Sequence, residues 1–196
     1  MSADTNRSGR VDPGIAGGLL APVVALGAIA LATLRSPSFT WTGSALSDLG
    51  APGAPTEWLF NGGLILGGLL ALPFAYRVWT RGRNRLERAG AAVFALDALC
   101  LAGVGAFPIG TDLHGPFAVA FYLLLSLSLW VYGGGNALAG DRARGLVTAA
   151  LGVLNLAAWA IWAAAFTDVA PGLALPESVG ALVVGVWTAT TALWLR

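Results

Sequence analysis

Few side chains in this sequence can do chemistry, and their positions are specific. Asp97 lies near the middle of an apolar run covering 89–107. A carboxyl group at membrane depth is unfavourable unless something uses it, so it is a functional candidate by default. Two readings stand: a proton-handling or catalytic acid, and an acid hydrogen-bonded to a neighbouring helix as a structural tie. Ser44, Ser47 and Asp48 occupy positions i, i+3 and i+4, which on a helix project from one side. The same residue types also cap helices and fold turns for local reasons. His114, the only histidine, follows Asp112 by two residues. It offers a general base or a metal ligand, or an interfacial side chain with neither role.

Combining these groups limits the chemistry. One histidine cannot make a three-histidine zinc site, which leaves only a His-plus-carboxylate pairing with Asp48, Asp97, Asp112 or Glu177. No metal and no cofactor is expected. A Ser/His/Asp set drawn from Ser44 or Ser47, His114 and Asp112 or Asp48 is chemically complete but lacks nucleophile-elbow spacing. The single cysteine, Cys100, cannot form an internal disulfide and reads as a small apolar residue. Asn61, four residues after Glu57, and Asn155 are expected to make interhelical hydrogen bonds.

The elements that position these residues follow from composition. The chain is 57% hydrophobic and 11% charged, with mean hydropathy +0.74. A soluble domain is about a quarter charged, so the solvent for most of this surface is lipid. A net charge of +1 gives no sign of a nucleic-acid partner; membrane lipids are the expected one. Apolar runs cover about 14–34, 57–79, 89–107, 115–138, 145–166 and 177–195. Each is long enough to cross roughly 30 Å of hydrocarbon at 1.5 Å per residue. Only helices satisfy their own backbone there. The expectation is an all-α, polytopic membrane protein: one membrane domain over 1–196, built as a six-transmembrane-helix bundle.

Arginine placement orients the bundle. Arg7, Arg10, Arg77, Arg81, Arg83, Arg85, Arg88, Arg142, Arg144 and Arg196 fall on one side if the runs alternate, and only Arg35 falls on the other. Both termini are therefore expected in the cytoplasm. The stretch 1–12 precedes a run too long for a signal-peptide core, so that run reads as a retained span. Asp48, Glu57, Asp112, Asp168, Glu177 and His114 gather at the outer side. The absence of lysine beside abundant Ala and Gly reads as a GC-rich coding sequence of archaeal type.

The outer loop 35–56 is the longest link, and loops of that length are more often functional or self-packed than idle. A short helix is expected near Thr42–Leu49, over the bundle mouth. Trp41, Trp58, Trp79 and Trp194 flank span ends as an aromatic belt does, whereas Trp130, Trp159, Trp162 and Trp187 lie deeper. Glycines throughout the runs fit close helix packing, and Gly133-Gly134-Gly135 is a candidate distortion of the fourth span.

The stretch Ser44-Ala-Leu-Ser-Asp-Leu-Gly50, followed by Trp58-Leu-Phe-Asn61-Gly-Gly, resembles the DUF998 family of prokaryotic membrane proteins. So does Gly103-Val-Gly-Ala-Phe-Pro108 followed by His114. Ser47, Asp48, Leu49, Gly50, Asn61, Gly105, Phe107, Pro108 and His114 are the positions that match. The resemblance implies a six-helix membrane bundle and brings no settled activity. The family is distantly similar to the Frag1/DRAM/Sfk1 group, which implies a link to lipid work at the level of fold analogy only.

Three functions remain open on the sequence alone. A polar pocket at the outer mouth, formed by Ser47, Asp48, Asn61, Asp97, Asp112 and His114, would bind a lipid headgroup or small amphiphile. It would remodel that ligand with His114 or Asp48 as general base and Asp97 as a protonated partner. Alternatively, Asp97 is the titrating group of a proton-coupled carrier, although carrier-type repeats and broken helices are not visible. Or the chain is a non-enzymatic scaffold or partner subunit whose polar groups tie helices together.

Overall fold

The computed structural model describes residues 12–196; Arg7, Arg10 and the rest of the polar stretch before Asp12 lie outside them. Six helices follow in order: α1 (Pro13–Arg35), α2 (Glu57–Arg81), α3 (Arg85–Ala106), α4 (His114–Leu138), α5 (Arg142–Ala165) and α6 (Ala174–Trp194). The expected runs coincide with them to within about four residues. Helices α1 to α5 are long and apolar enough to cross a membrane, which makes the chain a multi-pass membrane protein. Pro176, Glu177 and the threonines 188, 190 and 191 dilute the apolar character of α6.

The helices start where local chemistry lets them. Asp12 accepts hydrogen bonds from the N–H groups of Gly14 and Ile15, with proline at the first helical position, where its missing donor is harmless. Asn84 caps α3 through the Glu87 N–H, and Asp141 caps α5 through the Arg144 N–H. These caps belong to the arginine-rich end. There Arg77 pairs with Asp12 at 3.2 Å, Arg83 with Glu87 at 2.6 Å and Arg144 with Asp141 at 3.5 Å. The hydrogen bond to Glu87 raises the Arg83 guanidinium further above its ordinary value. Trp194, the last residue of α6, lies beneath both Arg83 and Arg144, with its ring centroid 5.5 and 3.5 Å from their guanidinium carbons. So α6 ends beside the α2–α3 and α4–α5 links and runs the length of the bundle.

Consecutive helices pack antiparallel, and α6 returns to α1 along a shorter seam than α1 makes with α2. Small residues set the spacing. Gly133 of α4 and Gly145 of α5 face each other so closely that a Cβ on either would stand 2.7 or 2.6 Å from the other's carbonyl oxygen. The expected distortion at Gly133-Gly134-Gly135 is absent, because α4 is continuous to Leu138 and its glycines receive neighbouring helices. The buried face of α5 is narrow: Gly145, Thr148, Gly152 and Asn155. Asn155 Nδ2 donates to the Tyr122 carbonyl and to Ser126 Oγ, both at 2.8 Å, and Ser126 Oγ donates to the Gly152 carbonyl. That is the interhelical tie its sequence position implied.

At the other end the long loop folds back onto the bundle. Its ordered turn is a 3-10 helix at Leu46–Gly50, four residues later than expected at its start. Ser44 therefore precedes the turn, and the expected shared face of Ser44, Ser47 and Asp48 does not form: Ser47 is buried, Asp48 exposed and Ser44 half-buried. The loop also pairs with the α5–α6 link, since Gly172 N–H donates to the Thr42 carbonyl and Ala174 N–H to that of Ser44.

The glycine crossing has a measurable consequence. Gly145→Leu forces α4 and α5 apart and should lower stability by about 1–3 kcal/mol, the usual effect of overpacking. Gly27→Leu, at a glycine with open space around it, is expected to leave the thermal midpoint in detergent nearly unchanged. Equal midpoints for the two variants would refute this packing account.

Candidate functional site

A cavity of about 70 Å³ lies inside the ring formed by α1, α2, α3, α4 and α6, with α5 outside it. Its walls are single helical faces. On α2 they are Phe60, Leu64, Gly67 and Ala71; on α6 they are Glu177, Ala181, Val184 and Thr188. Spacings of three and four residues are those of one helix face. From Phe60 to Ala71 the cavity extends about 16 Å along α2, at 1.5 Å per residue. Leu46 and Ser47 of the loop turn close it at the mouth, together with His114.

The wall is apolar apart from a small polar set. Asp97 is fully buried and lines the cavity, and neither of its carboxyl oxygens has a hydrogen-bond partner. Buried polar groups are nearly always paired, so this one calls for an explanation. Tyr122 lines the same space. Glu177 is 7% exposed, and its Oε2 accepts from the Leu46 N–H at 2.5 Å. It therefore holds the loop turn over the mouth. His114 Nδ1 lies 2.9 Å from the Phe107 carbonyl oxygen. A carbonyl only accepts, so Nδ1 donates this hydrogen bond.

Of the residues singled out from the sequence, Ser47, Asp97 and His114 line the same cavity, Ser47 and His114 at its mouth and Asp97 deeper; Asp48, Asp112, Asn61 and Ser44 do not line it. Asp48 Oδ2 accepts from the Ala45 N–H at 2.8 Å, as a cap of the 3-10 turn. Asp112 is exposed in the α3–α4 turn. Asn61 Nδ2 donates to the Gly50 carbonyl at 2.9 Å, which ties the loop to α2 rather than helix to helix. Ser44 Oγ accepts from the Thr40 N–H. Neither aspartate stands behind His114, so the proton-relay order of a Ser/His/Asp set is not assembled. Among the described residues, no three His, Cys, Asp or Glu side chains converge as metal ligands would.

Glu177 and Tyr122 are the cavity residues that the sequence pointed to least. Glu177 sits at a span end, where an acid is unremarkable, but the shared spacing from Glu177 to Thr188 marks one face. Tyr122 carries no signal beyond its place in an apolar run. The acids Asp12, Glu87 and Asp141 at the arginine-rich end also correct the impression that titratable groups gather only at the other end. The difference lies in pairing: those three are salt-bridged, whereas the acids at the loop end are engaged by backbone N–H groups or by nothing.

A family model described as "Protein of unknown function (DUF998)" matches residues 19–194, nearly the whole described chain. No curated protein and no solved structure gives a significant match. The positions that carried the resemblance frame the mouth. Asn61 binds Gly50, His114 binds Phe107, and Gly105 packs against the Asn61 backbone.

If Glu177 holds the turn, Glu177→Ala strands the buried Leu46 N–H, which costs about 1–3 kcal/mol. In a Cys100→Ala background, Ser47→Cys should then react with maleimide about fivefold faster or more than with Glu177 intact. An unchanged rate would show that the turn is held elsewhere.

Proposed function

The chain belongs to the DUF998 family, and we propose that it binds a small amphiphile from the membrane in the cavity between the loop turn and Asp97. The observation that carries this reading is the cavity itself. Ligand sites are mostly apolar and hold a few convergent polar groups; this one has an apolar wall that carries Asp97, Tyr122, Glu177, His114 and Ser47. A scaffold needs no such space, and a structural tie would have bonded Asp97 to a neighbouring helix. His114 Nε2 and Ser47 Oγ at the mouth would orient the ligand's polar end. They would support chemistry on it only with a water positioned between them.

In the same reading α6 is the sixth span. It reaches from the loop turn, through Glu177, to the arginines around Trp194. The arginine-rich end faces the cytoplasm, by the bias of basic residues, and the mouth opens at the far side of the cell membrane. Trp58, 88% exposed at the start of α2, Trp41 in the long loop, and Trp79 and Trp194 at other helix ends suit the two lipid interfaces.

A neutral apolar fluorophore, N-phenyl-1-naphthylamine, provides the test in nanodiscs corrected for empty discs. The wild type should show saturable binding at one site. Ala181→Phe and Ala118→Phe, which fill the cavity, should weaken binding at least tenfold while the thermal midpoint stays within a few degrees. Unsaturable uptake by the wild type, or equal binding by the filled variants, would count against the reading.

A further inference from the structure

Resting on that reading of the cavity, we propose that its ligand is a lipophilic organic cation, an amine or quaternary onium, held with its charge against Asp97. Three observations converge. Asp97 is fully buried, is one of the residues lining the cavity, and has no hydrogen-bond partner on either oxygen. The other acid on the wall, Glu177, is already engaged by the Leu46 N–H. Asp97 is therefore the group that awaits a partner, and a carboxyl group in an apolar enclosure is completed by a positive charge or a hydrogen-bond donor. Second, the cavity wall carries no arginine, and its one basic side chain is His114 at the mouth. A phosphate or carboxylate headgroup would meet two acids and no counter-charge, which disfavours anionic ligands. Third, aromatic side chains share the cavity wall with Asp97. Phe94 stands one helical turn before Asp97, and Phe121 and Tyr122 line the same space with their rings 4.9 Å apart. Aromatic faces attract cations, and quaternary ammonium groups are recognised by such rings.

The cation meets Asp97 as one ion pair with rings on its flanks, and its apolar substituents fill the space toward Ala181 and the mouth. Tyr122 contributes through its ring, so its hydroxyl is dispensable for cation binding. Asp97 is the group that selects charge.

Tetraphenylphosphonium and tetraphenylborate test this directly, since they share size and shape and differ in the sign of charge. Each is titrated into the full chain in nanodiscs and corrected for partition into empty discs. The wild type should bind the phosphonium saturably and the borate at least a hundredfold more weakly. Asp97→Asn should weaken phosphonium binding at least tenfold while leaving N-phenyl-1-naphthylamine affinity unchanged, and the latter also shows that the variant is folded. Equal affinity for the two ions, or an Asp97→Asn variant that binds the phosphonium normally, overturns the proposal but leaves the cavity reading intact if the neutral probe still binds. Absence of binding by all three probes overturns both. Phosphatidylcholine carries the same onium chemistry. Weaker phosphonium binding in phosphatidylcholine discs than in phosphatidylglycerol discs would assign the site to a lipid ammonium, and equal binding would assign it to a free cation.

Discussion

Close contact between small residues is the constraint on which the rest of this structure depends. In lipid, apolar helix surfaces gain nothing by leaving the solvent, so helices associate through packing and a few hydrogen bonds. Glycines let α1 approach α2, α2 approach α3 and α4 approach α5 down to backbone contact. The aromatic cluster of Phe74, Phe94, Tyr132 and Trp187, with ring centroids 4.8 to 5.8 Å apart, fills the centre toward the arginine-rich end. Toward the loop end the cavity takes the place of such a cluster, with Phe60, Phe121 and Tyr122 on its wall. The cavity lies where tight packing stops.

The two ends of the bundle handle charge differently for the same reason. At the arginine-rich end Asp12, Glu87 and Asp141 each cap or brace a helix start and each meets an arginine, so their charges are used in holding helices together. At the loop end the structure is held by side chains bonded to backbone: Glu177 to Leu46, Asn61 to Gly50, Thr56 to Leu49 and His114 to Phe107. These bonds pin an irregular segment over the mouth without closing the space beneath it. Asp97 stands outside both systems. It is too deep for the caps and, among the described residues, has no arginine within bonding distance.

The helices were legible because their signal is long and redundant: runs of about twenty apolar residues leave little freedom in lipid. The gathering of arginines at one end of the bundle was legible for the same reason, by their number there. The site was only partly legible. Asp97 stood out because an acid in an apolar run is conspicuous, and Asn155 behaved as a polar group in a span should. Ser44, Ser47 and Asp48 misled because their i, i+3, i+4 spacing presumes a helix that starts four residues later and is 3-10. Asp48 is a local cap, a role that residue type and spacing could not separate from a site role. Glu177 was under-read because its partner, the Leu46 N–H, lies 131 residues away in sequence, and backbone donors leave no trace in residue types. Whether Asp97 and His114 shared one space depended on helix rotation, which periodicity in a uniformly apolar helix does not define.

The account stands or falls on Asp97 facing space that an apolar molecule can reach from the membrane. Dicyclohexylcarbodiimide, a hydrophobic reagent for carboxyl groups in apolar surroundings, measures this when labelling is followed by peptide mass spectrometry. The account predicts near-stoichiometric modification at Asp97, suppressed when Ala181→Phe fills the cavity, with Asp12 and Asp141 unmodified in their ion pairs. An Asp97 left unmodified in the folded wild type would contradict it and make this acid a sealed structural residue.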